Sequence, residues 1–231
     1  ANGGTTVTNE AGSIDSTVQA NTDAGFSIVT YVGTGSNATV GHGLSKAPDF
    51  MVAKSRSATG NWYSYQGDGT KAMLFSSSAV EFATGDKWNN TDTTATLFSL
   101  GTEANINGDG NNHIAYCFHS VEGYSKIGSY TGNASADGAF VYTGFRPAWV
   151  IVKAATGAVQ HWWMFDNKRK GYNVDNDQIY ANLTAAEETG DILDFVSNGF
   201  KMRTSSAVTN ASGVTYIYMA FGDSTKYANA R

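Results

Sequence analysis

The sequence predicts an all-β protein made of two tandem, duplicated β-sandwich units of jelly-roll or lectin-like type, with little helix. Three observations predict it. The first is an internal repeat: residues 31–54 and 130–153 align without a gap and share Tyr31/Tyr130, Pro48/Pro147 and Lys54/Lys153. Aromatic doublets follow both copies at Trp62-Tyr63 and Trp162-Trp163, and Thr84-Gly85-Asp86 returns as Thr189-Gly190-Asp191. The copies close on His113-Ile114-Ala115-Tyr116-Cys117-Phe118 and Tyr216-Ile217-Tyr218-Met219-Ala220-Phe221. A period of roughly one hundred residues is a small domain, so each copy can enclose its own core. The second observation is composition: aromatics are 13% of the 231 residues and charged residues only 15%, against about 25% charged in average soluble chains. Tyr, Phe, Thr and Val suit strands, whereas the helix formers Lys, Glu and Leu are scarce. The third is punctuation, with short apolar or alternating runs set between Gly and Asn turns.

Taken in order, residues 1–24 are polar, with Val7, Ile14 and Val18 widely spaced. They read as an extended lead-in that closes no core and orders against a partner chain. The first unit spans 25–122. Gly25-Phe26-Ser27-Ile28-Val29-Thr30-Tyr31 has strand composition and stops at Gly33-Thr34-Gly35. A strand near Thr39 leads through Gly43 to Pro48. Phe50-Met51-Val52-Ala53-Lys54 is apolar on both faces, as an inner strand is. Strands follow at Trp62 to Tyr65, Ala72 to Phe75, Thr96 to Leu100 and Ile114 to Phe118, the last two separated by the turn signal Asn107-Gly108-Asp109-Gly110-Asn111.

The second unit spans 123–231 and repeats the inner strand at Trp149-Val150-Ile151-Val152-Lys153. Thr184-Ala185-Ala186-Glu187 has the form of a capping box and predicts one helical turn. Comparing the closing strands, Ile114, Tyr116 and Phe118 match Ile217, Met219 and Phe221, all large, which predicts that this face is core. Ala115 and Cys117 match Tyr218 and Ala220 and are expected against another sheet or subunit.

Charge and cysteine content exclude several functions. A formal charge of -5 disfavours nucleic acid, since phosphate binding needs a basic patch that releases counterions. The run Lys168-Arg169-Lys170 reads as a solvated loop. One cysteine, Cys117, permits neither an internal disulfide nor a four-cysteine metal site, and its mid-strand place predicts a small buried thiol. No run approaches the roughly 20 apolar residues of a membrane helix, so no membrane insertion is expected. The start at Ala1 predicts a piece of a longer chain or a processed product.

Catalytic patterns are missing from the sequence. His42, His113, His119 and His161 lack zinc spacing, and the second copy carries Tyr216 where the first has His113, an exchange that suits packing. There is no Gly-x-Ser-x-Gly elbow, and Gly33-Thr34-Gly35 is followed by no helix. Glu187-Glu188 diverge, and Asp175, Asp177 and Asp191 are close only in sequence. Asn107 to Asn112 and Asp175-Asn176-Asp177 offer hard oxygen ligands for calcium near Asp109 or Asp175, but the first lacks the closing Glu of an EF-hand and reads as a type I′ turn. No enzyme, cofactor or metal is expected.

The aromatic residues carry the binding expectation. Tyr63, Tyr65, Trp163 and Phe165 fill cores, and alternation then turns Trp62 and Trp162 the other way. Beyond Gly85-Asp86 the first copy inserts eight residues relative to the second, a polar loop carrying Trp88-Asn89-Asn90. Trp62, Trp88 and Trp162, with Asn89 and Asn90, are therefore the candidate ligand-binding residues, stacking on a sugar ring or anchoring a partner. Burial of Trp62 and Trp162 between copies or subunits is the alternative.

Several strings resemble a known family. They are Gly25-Phe26-Ser27-Ile28-Val29-Thr30-Tyr31, Gly41-His42-Gly43-Leu44-Ser45-Lys46-Ala47-Pro48-Asp49-Phe50, Val121-Glu122-Gly123-Tyr124-Ser125-Lys126, Tyr142-Thr143-Gly144-Phe145-Arg146-Pro147 and Lys226-Tyr227-Ala228-Asn229-Ala230-Arg231. They resemble C-terminal domains of tail-fibre-like virion proteins of tailed bacteriophages, marine and cyanobacterial ones above all, for which no activity is established. The resemblance implies a virion-surface protein, the distal part of a tail fibre, assembled as a homotrimer with other virion proteins and binding host-surface glycan. A structural virion or filament subunit without ligand is the alternative, and a polysaccharide depolymerase the third reading.

Overall fold

The computed structural model describes residues 5–157, 159–169, 173 and 177–223. It is nearly all β and divides into two compact units, one formed by Ala1–Ser76 with Glu81–His119, the other by Ser77–Val80 with Ser120–Arg231. The first unit contains β1 (Val7–Asn9), β2 (Ser16–Asn21), β3 (Phe26–Val32), β4 (Ala38–Gly41), β5 (Phe50–Ser55), β6 (Tyr63–Tyr65), β7 (Lys71–Leu74), β8 (Phe82–Ala83), β9 (Leu97–Leu100), the short helix α1 (Ala104–Asn107) and β10 (Asn112–Phe118). The second contains β11 (Ser125–Thr131), β12 (Phe140–Tyr142), β13 (Pro147–Ala154), β14 (Trp163–Asp166), β15 (Gln178–Tyr180), β16 (Leu193–Val196), β17 (Gly199–Met202) and β18 (Thr215–Gly222).

In the first unit an eight-stranded sheet runs β1-β2-β3-β10-β5-β6-β7-β8, and a two-stranded sheet joins β4 to β9. In the second a five-stranded sheet runs β11-β18-β13-β14-β15, and a three-stranded sheet runs β12-β17-β16. All pairings between these strands are antiparallel. The order β3-β10-β5-β6-β7 recurs strand for strand as β11-β18-β13-β14-β15. In each unit the smaller sheet supplies part of the same apolar core as the larger one, a sandwich-like layering. Val40, Phe98 and Leu100 meet Val29, Tyr31 and Ala115 in one cluster, and Val141, Phe200 and Phe195 meet Val150, Phe165 and Tyr218 in the other.

A side-chain clamp also recurs. Tyr31 donates its hydroxyl to the Ile106 carbonyl at 2.7 Å, and Tyr130 donates to Thr209 at 2.6 Å. The next residues along, Asn107 and Asn210, are fully buried. Each Asn oxygen accepts a backbone N–H at 3.0 Å, from Thr34 and Asn133 respectively, and each amide donates to carbonyls of the facing loops. The Asn carbonyls in turn accept from Gly35 and Ala134, both left-handed, at φ 66 and φ 51. Every polar atom of the amide is thus paired inside the fold, the condition for burying it at small cost. His113 stacks on Tyr31 at 5.4 Å as Tyr216 stacks on Tyr130 at 5.2 Å.

Three sequence expectations are corrected. Residues 16–21, read as a lead-in, form β2, paired along its length with β3, and Val18 is 1% exposed in the core. Few apolar residues suffice for a strand that presents one face to the core and takes its backbone bonds from a neighbour. In β10 the buried face is opposite to the predicted one: His113, Ala115 and Cys117 are inside, while Ile114, Tyr116 and Phe118 are half-buried; in β18 Tyr216, Tyr218 and Ala220 are inside, and of the predicted face only Met219 is buried as well. Tyr31, Tyr65, Trp88 and Phe98 fill the same core, and the small Ala115 and Cys117 fit beneath them, so residue size does not report depth. No helical turn forms at residues 184–187. The Glu187 carboxylate is held by Arg169, and Glu188 exchanges backbone hydrogen bonds with Gln178, which draws the segment out along β15.

Candidate functional site

Among the described residues the most exposed aromatic pair lies on β12, the edge strand of the three-stranded sheet. Its sequence Phe-Val-Tyr alternates: Val141 is 5% exposed and anchors the strand in the core, while Phe140 and Tyr142 are 50% and 65% exposed. Period-two geometry places both rings on the outer face, about 7 Å apart along the strand. The register Phe140↔Lys201 and Tyr142↔Gly199, continued by Asp194↔Lys201 and Val196↔Gly199, puts all six residues on that face.

Gly199 keeps the platform flat. A Cβ there would lie 2.1 Å from the Val141 carbonyl and 3.1 Å from the Phe140 ring, so no side chain can stand between the aromatics and solvent. Gly144, at φ +87, turns the chain beside the Tyr142 ring. Charged groups form the rim. Lys201 Nζ meets Asp137 at 2.7 Å and donates to the Gly138 carbonyl at 3.3 Å, and Arg203 Nε meets Asp194 at 3.3 Å. The Lys201 hydrogen bond holds the Asp137 carboxyl below its ordinary range, so at neutral pH the rim carries both a carboxylate and an ammonium. Two exposed ring faces edged by fixed donors and acceptors suit a flat ligand with an apolar face and a polar edge. The signal was present in Phe140-Val141-Tyr142, a three-residue alternation too short to stand out among so many strand-like runs.

The structure does not gather the tryptophans into a surface. Trp88 is 1% exposed and lies edge-on to Tyr65 at 6.0 Å in the first core. The loop that carries it is a plug: Asp92 accepts the Gly69 N–H at 2.7 Å, Thr93 donates to the Pro48 carbonyl at 2.8 Å, and Lys87 is locked between Asp86 and Glu103. Burying an indole removes far more apolar surface from water than its polar neighbours need to give up, so the loop folds inward around it. Asn89 and Asn90, at φ 52 and φ 49, make the left-handed turn that permits this, and Thr91 donates to the Asn89 carbonyl. Trp162 is 1% exposed, its N–H on the backbone accepted by Asn182 at 3.0 Å. Trp62 is half-buried, near-parallel to Tyr116 at 6.3 Å, with the Lys54 ammonium 4.8 Å from the ring centre. The expected contact surface of Trp88 and Trp162 is thus replaced by core packing.

The remaining polar candidates that the structure describes are engaged in turns, ion pairs and packing. Gly110 alone of the two central turn residues has positive φ, at 66, and Asn111 N–H closes the turn on Gly108, which fits a type II turn and not type I′. Asp175 and Asn176 of the second oxygen-rich stretch, and Lys170, lie outside the described residues. Among the described residues no group of three His, Cys, Asp or Glu is placed to hold a metal ion. Arg169 is paired with Asp166 and Glu187, and Lys168 with Asp223. His42 is buried, with Nδ1 accepting from Leu44 N–H and Nε2 facing the Thr94 carbonyl, and burial pulls its pKa down. Cys117 is fully buried and burial pushes its thiol up to about 12. Among the described residues no helix is long and apolar enough to cross a membrane.

A family model described as a domain of unknown function, DUF7483, matches residues 1–225. No curated protein and no solved structure matches the chain.

Proposed function

The chain belongs to the DUF7483 family, and we propose that it is a non-enzymatic appendage of a bacteriophage virion that holds host-surface glycan on the sheet face carrying Phe140 and Tyr142. The observation that carries the reading is the pair of rings, half and two-thirds exposed on one flat face and rimmed by Lys201, Asp137, Arg203 and Asp194. A pyranose offers an apolar ring face to such aromatics and hydroxyls to such a rim, and weak single sites add up when an appendage presents many of them. The charge-poor, hydroxyl-rich composition agrees with a surface displayed outside the cell. We read the two units as copies of one jelly-roll-like sandwich. The recurring strand order and the recurring Tyr–Asn clamp support this.

The test is binding of labelled chain to intact host cells and a glycan array, wild type against Phe140→Ser/Tyr142→Ser. The double variant should keep its melting temperature, since both rings are exposed, and should lose about tenfold or more in affinity, the equivalent of about 1.4 kcal/mol. Unchanged binding by the variant removes this face from the site. A folded chain that binds nothing moves the protein to a structural virion role, and release of sugar from host envelope makes it a depolymerase.

A further inference from the structure

Four charged side chains border Phe140 and Tyr142, two of each sign, and each cation is matched to a carboxylate. Lys201 lies opposite Phe140 in the register, with Nζ 2.7 Å from Asp137 and 3.3 Å from the Gly138 carbonyl. Arg203 Nε lies 3.3 Å from Asp194, the residue opposite Lys201 on β16. Both carboxylates are placed by anchored backbone. Asp137 N–H donates to Ser135 Oγ at 3.1 Å, and its carbonyl accepts from the Asn133 amide at 3.3 Å. Asp194 sits within β16, paired along its length with β17, and only 17% of its side chain is exposed. The charges on the rim therefore cancel, and the negative members are held beside the positive ones.

This arrangement treats anions and hydroxyls differently. A ligand carboxylate, phosphate or sulfate that approaches Lys201 or Arg203 has to displace a tethered carboxylate and then lie next to it, and like charges side by side oppose binding. A sugar hydroxyl displaces nothing. It donates to the outer lone pairs of Asp137 or Asp194 and accepts from guanidinium N–H groups of Arg203 that the Asp194 contact leaves over. The formal charge of -5 adds a field that repels an anionic polymer before contact. We propose that the glycan held on this face is uncharged: Phe140 and Tyr142 take the ring faces of neutral sugars, while Asp137 and Asp194 turn away polysaccharides that carry carboxylate, phosphate or sulfate. The proposal rests on the glycan reading of the same face and adds the class of sugar.

The experiment measures affinity for a panel of neutral and acidic polysaccharides at low and high salt. It compares wild type, Phe140→Ser/Tyr142→Ser and Asp137→Asn/Asp194→Asn. The wild type should hold a neutral glycan, with affinity changing less than about twofold between about 50 and about 500 mM NaCl, because salt screens charges and not stacking. Acidic glycans should bind it about tenfold or more weaker. Asp137→Asn/Asp194→Asn keeps the shape of the rim and frees both cations. It should acquire acidic glycans, with an affinity that salt lowers, at a melting temperature close to wild type, since ion pairs in contact with water contribute little. If that variant unfolds, the class preference and salt response of the wild type decide alone. A wild-type preference for acidic glycans that Phe140→Ser/Tyr142→Ser abolishes overturns the proposal and leaves the glycan face standing. A folded Asp137→Asn/Asp194→Asn variant that gains no acidic ligand does the same. A wild type that binds neither class overturns both.

Discussion

Replacing Lys153 by Met should stabilise the protein at neutral pH, and the gain should shrink as pH rises. Lys153 sits on β13, is fully buried, and its ammonium donates to the Ala154 carbonyl at 2.9 Å and the Ser78 carbonyl at 3.2 Å. Neither partner carries a charge. Burial therefore pulls its pKa from 10.5 to about 8. Below pH 8 the amine is protonated in both folded and unfolded chains, and folding bears the whole cost of burying the charge. Between about 8 and 10.5 the folded protein has released the proton while the unfolded chain keeps it, so stability rises with pH through that window. Two independent titrations with these values give ~1.3 kcal/mol between pH 7 and pH 9, out of a limiting gain of about 3 kcal/mol. Met keeps the length of the side chain without the charge. Urea unfolding of wild type and Lys153→Met at pH 7 and pH 9 measures the effect. Titrations common to both proteins, such as loss of stability above pH 9 as the unfolded Cys117 thiol ionises, cancel in the difference. The variant should lead at pH 7 and its lead should shrink by ~1.3 kcal/mol at pH 9. A difference independent of pH would refute the reasoning.

Three further outcomes follow from packing and hydrogen bonding. Trp88→Ala should lose about 3–5 kcal/mol in urea unfolding, the usual cost of deleting a buried large aromatic, because the ring is 1% exposed; a loss below about 1 kcal/mol would put the ring outside the core. Asn210→Ala should lower stability by about 3 kcal/mol in the same assay, since it strands the Asn133 N–H and three acceptors, and the matching Asn107→Ala should cost a similar amount. Ala134→Gly should raise the melting temperature slightly, by about 1 kcal/mol or less of added stability, because Ala134 holds φ 51 where the first unit has Gly35; a fall would mean that the alanine methyl packs.

How far the sequence reveals this molecule depends on the kind of information involved. The inner strands β5 and β13 were legible from runs that are apolar on both faces, and the repeat from shared residues such as Tyr31 and Tyr130. Those two tyrosines mark the clamp, but their partners lie 75 and 79 residues away, a register that no local pattern encodes. β2 was hidden because a covering strand needs little hydrophobicity when a neighbour completes its ladder. The inverted face of β10 shows why comparing side-chain size between copies misleads: a core has fixed volume, and bulk contributed by Tyr31, Tyr65 and Trp88 is subtracted from the strand beneath. Trp88 was misplaced because polar neighbours were read as surface, although a turn of two left-handed asparagines lets a polar loop carry an indole inward.

The strand order bears on how the chain is made. In both larger sheets the strand that synthesis delivers last, β10 in one unit and β18 in the other, is inserted between strands delivered much earlier. Until residue 118 or residue 222 emerges, each sheet consists of halves with facing raw edges and no centre. Such long-range closure slows folding to milliseconds or longer and leaves strands able to pair with the wrong chain meanwhile. A stop codon before β18 would remove the spine of the second sheet and leave its flanks, so it should act as an aggregation lesion, whereas deletion of β1 should act as a mild one.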